Sequence, residues 1–177
     1  MKQSSKTALC GIIAAISVAL MFLVSIIPFL TYALPALTGA FVILITIEID
    51  KKWAFLTYAV TSVLSLLLVP NKEVAMLFAS FFGYYPILKA VFESKLPRVL
   101  EYIVKVALFN ATMVLSYIVM IKFMGISFDD VYELGKFAVP ILLILGTATF
   151  LMYDLALTRL IRVYLIKWQK RFRRLFK

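Results

Sequence analysis

The chain has 177 residues, of which 64% are hydrophobic and 16% charged, and its mean hydropathy is +1.01. A soluble domain is near half apolar, so this composition excludes one and points to an integral membrane protein. The net charge of +10 does not argue for nucleic acid as a partner. The Lys and Arg gather in alternate breaks between long apolar runs, as they do at the inner face of a membrane.

Apolar runs of about twenty residues match what a helix needs to cross ~30 Å of hydrocarbon. Six spans are predicted, from about Lys6 to Leu30, Pro35 to Ile49, Trp53 to Val69, Val74 to Phe92, Tyr102 to Phe123 and Phe137 to Ile161. The second is short and opens on a proline, which a first helical turn tolerates because that N–H has no partner there. Lys2, Lys6, Lys51, Lys52, Lys89, Lys95, Arg98, Lys105, Arg159, Arg162 and the basic residues from Lys167 to Lys177 fall on one side. Lys72, Lys122 and Lys136 fall on the other. The positive-inside rule then places both termini in the cytoplasm, with a bacterial plasma membrane the expected location. The expected fold class is an all-α transmembrane bundle of six helices, one domain over residues 1–177.

Residues 167–177 mix Trp168, Phe172 and Phe176 with Lys and Arg. This tail is expected to lie on anionic lipid, docking onto a protein being the alternative. The first apolar run is too long for a signal-peptide core and is interrupted by Pro28 rather than by a cleavage site. Cys10 stands alone, so no disulfide forms within the chain.

The chain has no His, which removes His-based acid–base and triad chemistry and the usual zinc sites. No P-loop motif occurs, and no close pair of carboxylates lies within a span. An enzyme is not expected, nor a cofactor or metal. What remains is packing and recognition. Gly11, Ala15 and Ala19 recur every four residues and stack on one face of the first helix, where another backbone can approach closely. Thr57, Thr61 and Ser65 repeat that spacing in the third span. Internal packing and partner docking are both open for these faces.

In the fourth span, Pro86 cannot donate a backbone N–H and crowds the carbonyl of Phe82, with Gly83 beside it. A kink or local unwinding is predicted there, with the hydroxyls of Tyr84 and Tyr85 available to the freed groups. Lys89, Lys105, Asn110 and Asp154 fall at comparable depth in the inner half and form a predicted polar cluster. A carboxylate inside a membrane helix needs a partner, so Asp154 is expected to pair with Lys105 or Lys89 as a structural tie rather than a proton relay. The outer side carries the segment 28–35, the run 71–73, and then Asp129, Asp130, Glu133 and Lys136. Pro28 and Pro35 stiffen the first outer loop. Tyr32, Asn71 and Glu73 are the candidate ligand contacts, since small-molecule sites combine aromatic walls with a few fixed polar groups.

On these residues the chain resembles the substrate-binding S component of an energy-coupling factor (ECF) vitamin transporter. The likeness rests on the chain length, the six predicted spans with both ends inside, and the Ala15-x-x-x-Ala19 face. It implies that Ala15 and Ala19, extended by Gly11, dock a transmembrane coupling subunit. It also implies that residues 28–35 gate a small-molecule pocket, and that two cytoplasmic ATPase subunits supply the energy. The chain is similar as well to the small rod-shape-determining membrane scaffold of the bacterial elongation machinery, which transports nothing.

Overall fold

The structure is a computed structural model that describes residues 3–124 and 138–169. Among the described residues the regular structure is helical throughout, with no strand. The helices are α1 (Gln3–Leu23), α2 (Ala33–Glu48), α3 (Lys51–Leu68), α4 (Lys72–Leu77), α5 (Tyr85–Lys95), α6 (Arg98–Met124) and α7 (Ala138–Val163). A 3-10 turn covers Pro28–Leu30, and π turns cover Phe78–Phe82 and Tyr164–Trp168. Among the described residues, four stretches are long and apolar enough to cross a membrane: Gln3–Leu23, Lys72–Lys95, Arg98–Ser116 and Leu143–Trp168. The apolar helix α2, at 16 residues, is shorter.

The first helix ends earlier than its apolar run suggests. Proline disfavours helical geometry in the residue before it, and Ile27 is non-helical at φ −125° and ψ 80°. The chain therefore leaves α1 at Leu23 and restarts as the 3-10 turn at Pro28. The corner between α3 and α4 is capped from both directions. Lys72 Nζ donates to the carbonyls of Leu66 (2.8 Å) and Val69 (3.1 Å) at the end of α3. Asn71 Oδ1 accepts from the N–H groups of Glu73 (3.1 Å) and Val74 (3.3 Å) at the start of α4. Orphan groups at both helix ends are thus satisfied by two adjacent side chains, Asn71 and Lys72.

Helices α1, α2 and α3 pack mutually, and the rod made of α4, its π turn and α5 lies against α2, α3 and α6. Helix α7 closes the arrangement against α6 and α2. One apolar cluster, around Met21, Val42, Ile45, Val74 and Phe78, joins the first three helices to α4. A second, around Phe81, Tyr85, Phe109 and Phe150, joins α5, α6 and α7. The α4–α5 rod contributes to both. Half of its apolar stretch is buried, against 17% for the corresponding stretch of the last rod.

That central rod is interrupted where the sequence predicts, by a different arrangement of bonds. The N–H of Gly83 reaches back five residues to Phe78 O at 2.8 Å, which leaves the carbonyl of Ala79 without it. Tyr58 of α3 supplies the replacement, its hydroxyl donating to Ala79 O at 2.6 Å. The rod breaks at Gly83 and Tyr84, and Pro86 lies in the first turn of the new helix, where its missing N–H does no harm. Glycine is required twice here. A Cβ on Gly83 would collide with the ring of Tyr58, and one on Gly39 of α2 would collide with the carbonyl of Phe82.

Candidate functional site

The two small-residue faces have opposite fates. Thr57, Thr61 and Ser65 are buried inside the protein, on the helix that packs most extensively against α1. Helix α1 meets its neighbours through Leu9, Cys10, Ile13, Ala14, Ser17 and Met21. Gly11, Ala15 and Ala19 lie on the other side and are exposed. A Cβ built on Gly11 meets no atom within 4 Å. The stripe is flanked by exposed Ile12, Ile16 and Phe22, so it is a shallow apolar surface with a small-residue floor. Such a surface suits close approach of another helix in lipid.

At the end of the bundle formed by residues 28–35 and the α3–α4 corner, the structure brings Tyr32 and Glu73 together. The Tyr32 hydroxyl donates to Glu73 Oε1 at 3.2 Å, across 41 residues of sequence. This bond ties the loop between α1 and α2 to the capped corner that follows α3. Asn71 is spent on that corner, its side-chain oxygen facing the backbone of α4. Partial burial of its ring, and then the Glu73 carboxylate, push the Tyr32 phenol above its usual range. It therefore stays a proton donor at neutral pH. Asp129, Asp130, Glu133 and Lys136 lie outside the described residues, as does the tail beyond Gln169.

The half of the bundle that carries Lys89, Lys105 and Asp154 holds the most concentrated polar chemistry. Lys89 and Lys105 are buried at 0% and 1% exposure, and Asp154 at 2%. Asp154 Oδ1 accepts from Lys89 Nζ at 2.6 Å and from the hydroxyl of Tyr85. Lys105 Nζ reaches both carboxylate oxygens of Asp154 at 3.2 Å. Both lysines also have acids of their own. Lys89 pairs with Glu93 at 2.5 Å and Lys105 with Glu101 at 2.6 Å, each four residues apart on one helix. Lys105 further contacts Glu93 at 3.2 Å, and Lys89 donates to Thr158 Oγ1 at 2.8 Å. Asn110 stands apart from this cluster, with its Nδ2 donating to Thr147 Oγ1 at 3.2 Å and to Val106 O at 2.9 Å. Beside the broken rod, Tyr84 and Thr112 share a hydrogen bond of 2.9 Å.

Glu93, Glu101, Tyr85 and Thr158 were not among the residues the sequence singles out for this network. The signal for the two glutamates was present, since Lys89–Glu93 and Glu101–Lys105 have the four-residue spacing of helical ion pairs. Tyr58 and Gly39 carry no such signal, because their partners are far away in sequence. Among the described residues, no group of three His, Cys, Asp or Glu side chains is placed to hold a metal ion. Surface depressions do occur in the bundle; one of about 310 Å³ is lined only by Ala59, Val60, Val63 and Leu64 of α3. With no polar group to orient a ligand, it fits lipid chains rather than a metabolite. Comparison with family models, with curated proteins and with solved structures found no match to this chain.

Proposed function

We propose that this protein is the substrate-capturing membrane subunit of an ECF-type transporter for a vitamin or other small metabolite. In this reading the six helical rods all cross the membrane, and both termini face the cytoplasm. The exposed Gly11, Ala15 and Ala19 face docks a transmembrane coupling subunit, which in turn engages two cytoplasmic ATPase subunits. The ligand enters from the outer side, where Tyr32 and Glu73 meet beside the loop stiffened by Pro28 and Pro35. A ligand with a polar group there replaces the Tyr32–Glu73 hydrogen bond and keeps the loop closed over itself. The basic residues at the inner ends rest on anionic lipid.

One observation supports this reading above the others. Of two faces with the same spacing, α3 buries its own inside the bundle, whereas α1 presents its own to the surroundings. A small-residue stripe left outside the bundle is suited to a second helix, which lipid alone does not require.

The test combines two measurements on the purified protein. Ala15→Leu with Ala19→Leu leaves the isolated protein folded and abolishes co-purification with the coupling subunit. A thermal-shift panel of water-soluble vitamins, their precursors and nucleobases yields a match. Ligand held only by the native form stabilises it by ~2.7 kcal/mol at a hundredfold excess over Kd. A folded protein that answers none of the panel, and that co-purifies with cell-elongation proteins, is instead the membrane scaffold.

A further inference from the structure

Among the described residues the inner network contains five charged groups and does not balance. Lys89 and Lys105 face Asp154, Glu93 and Glu101, two cations against three carboxylates. Buried ion pairs add little net stability, and leaving one charge without a partner costs about 3–5 kcal/mol. A simple tie between helices needs one acid per lysine. The third acid gives each lysine a second choice. Lys89 has Glu93 on its own helix α5, and Lys105 has Glu101 on its own helix α6. Asp154 is the only acid contributed by α7.

Two pairing schemes are therefore available to the same side chains. In the observed one, Asp154 accepts from both lysines and from Tyr85, holding α7 to α5 and α6. In the other, each lysine keeps only the glutamate of its own helix, and α7 leaves with Asp154. Neither lysine is stripped of a partner in that exchange, so its electrostatic cost falls on Asp154 alone. The packing of α7 suits such movement. In the last rod, the buried side chains among the described residues are Phe150, Asp154, Leu157 and Tyr164, a single strip along one face. Of its neighbours along the helix, Met152, Leu155 and Val163 are exposed, while Leu151 and Tyr153 are half-buried against the same cluster and the Tyr153 hydroxyl donates to Ala36 O of α2 at 3.3 Å.

We propose that the inner network is a partner-exchange latch, which lets the inner half of α7 separate from α5 and α6 while both buried lysines stay neutralised. The inference does not depend on what the protein transports. It rests on the intrahelical glutamates and on the narrow seam of α7.

The experiment measures distance between spin labels at Val99→Cys on α6 and Arg162→Cys on α7, both exposed positions, in full-length Cys10→Ala protein in nanodiscs. The unmodified network gives a shorter and a longer population. Glu93→Gln with Glu101→Gln removes the alternative partners and lowers the longer population by about tenfold or more. Asp154→Asn raises it by a similar factor, and Tyr85→Phe, which keeps every charge, raises it in the same direction. Identical distributions in all four proteins, each folded by circular dichroism and monodisperse, overturn the latch. So does a longer population that grows in the double glutamine variant.

Discussion

Single atoms decide the interruption of the central rod. The Tyr58 hydroxyl is the partner of a carbonyl that the π turn releases, at 2.6 Å and inside the bundle. Tyr58→Phe keeps the ring and removes the donor from a partly buried carbonyl; a fully buried one without a partner costs about 1–3 kcal/mol, which is the upper bound here. Thermal unfolding in detergent is expected to fall accordingly. Gly83→Ala drives a methyl into the same ring, and overpacking of this kind costs about 1–3 kcal/mol. Gly11→Ala meets open space and lies on a helix, where Ala is favoured over Gly by up to ~1 kcal/mol. The isolated protein is therefore expected to unfold at the same or a higher temperature. Two glycines, one on an exposed helix face and one at a break between helices, thus give opposite signs, which a sequence pattern alone does not reveal.

Among the elements, α1 and α3 carry the same small-residue spacing with different purposes. Thr61→Leu places a larger side chain in a position that is 1% exposed. It is expected to force α1 and α3 apart and to lower the unfolding temperature. Ala15→Leu sits on an exposed face and leaves that temperature unchanged; a similar loss from both changes would show that α1 also packs through its outer stripe. The break between α4 and α5 has the same lesson at larger scale. Pro86 and Gly83 announce an interruption from sequence, since one removes a donor and the other accepts a close neighbour. The π turn before it, and the tyrosine from α3 that completes it, depend on contacts across the bundle. Likewise the polar cluster was legible as Lys89, Lys105 and Asp154 at one depth, because successive helices expected to alternate in direction convert sequence into depth. Asn110 shares that approximate depth but hydrogen-bonds to Thr147, since one-dimensional depth says nothing of the direction in which a side chain points around its helix.

At the scale of the whole molecule, rod lengths bear on the bilayer. With ~1.5 Å of rise per residue, the 21 residues of α1 span about 31 Å and the 27 of α6 about 40 Å. Helix α2, at 16 residues, reaches about 24 Å by the same rise. It lies among α1, α3 and the central rod, so neighbouring protein rather than lipid covers much of its length. A helix in that position tolerates being shorter than the hydrocarbon. Topology is testable directly in a Cys10→Ala background. Lys51→Cys is expected to resist an impermeant thiol reagent applied from outside, and Tyr32→Cys to react with it. The reverse pattern would invert the orientation of the bundle.

Composition and the spacing of apolar runs by themselves determined that the chain is helical and suited to a membrane. The reason is that a backbone in hydrocarbon must satisfy its own hydrogen bonds, and a helix does so within one segment. Charge placement by itself gave an expected orientation, because the cost of moving Lys and Arg across the membrane is local to each loop. The tertiary structure alone decided which of two equal small-residue faces stays exposed, and that Tyr58 completes the broken rod. It alone decided that both buried lysines converge on Asp154 while each keeps a glutamate of its own. These outcomes depend on how each helix is rotated about its axis and on which neighbour it meets, and many side chains distant in sequence set that rotation together.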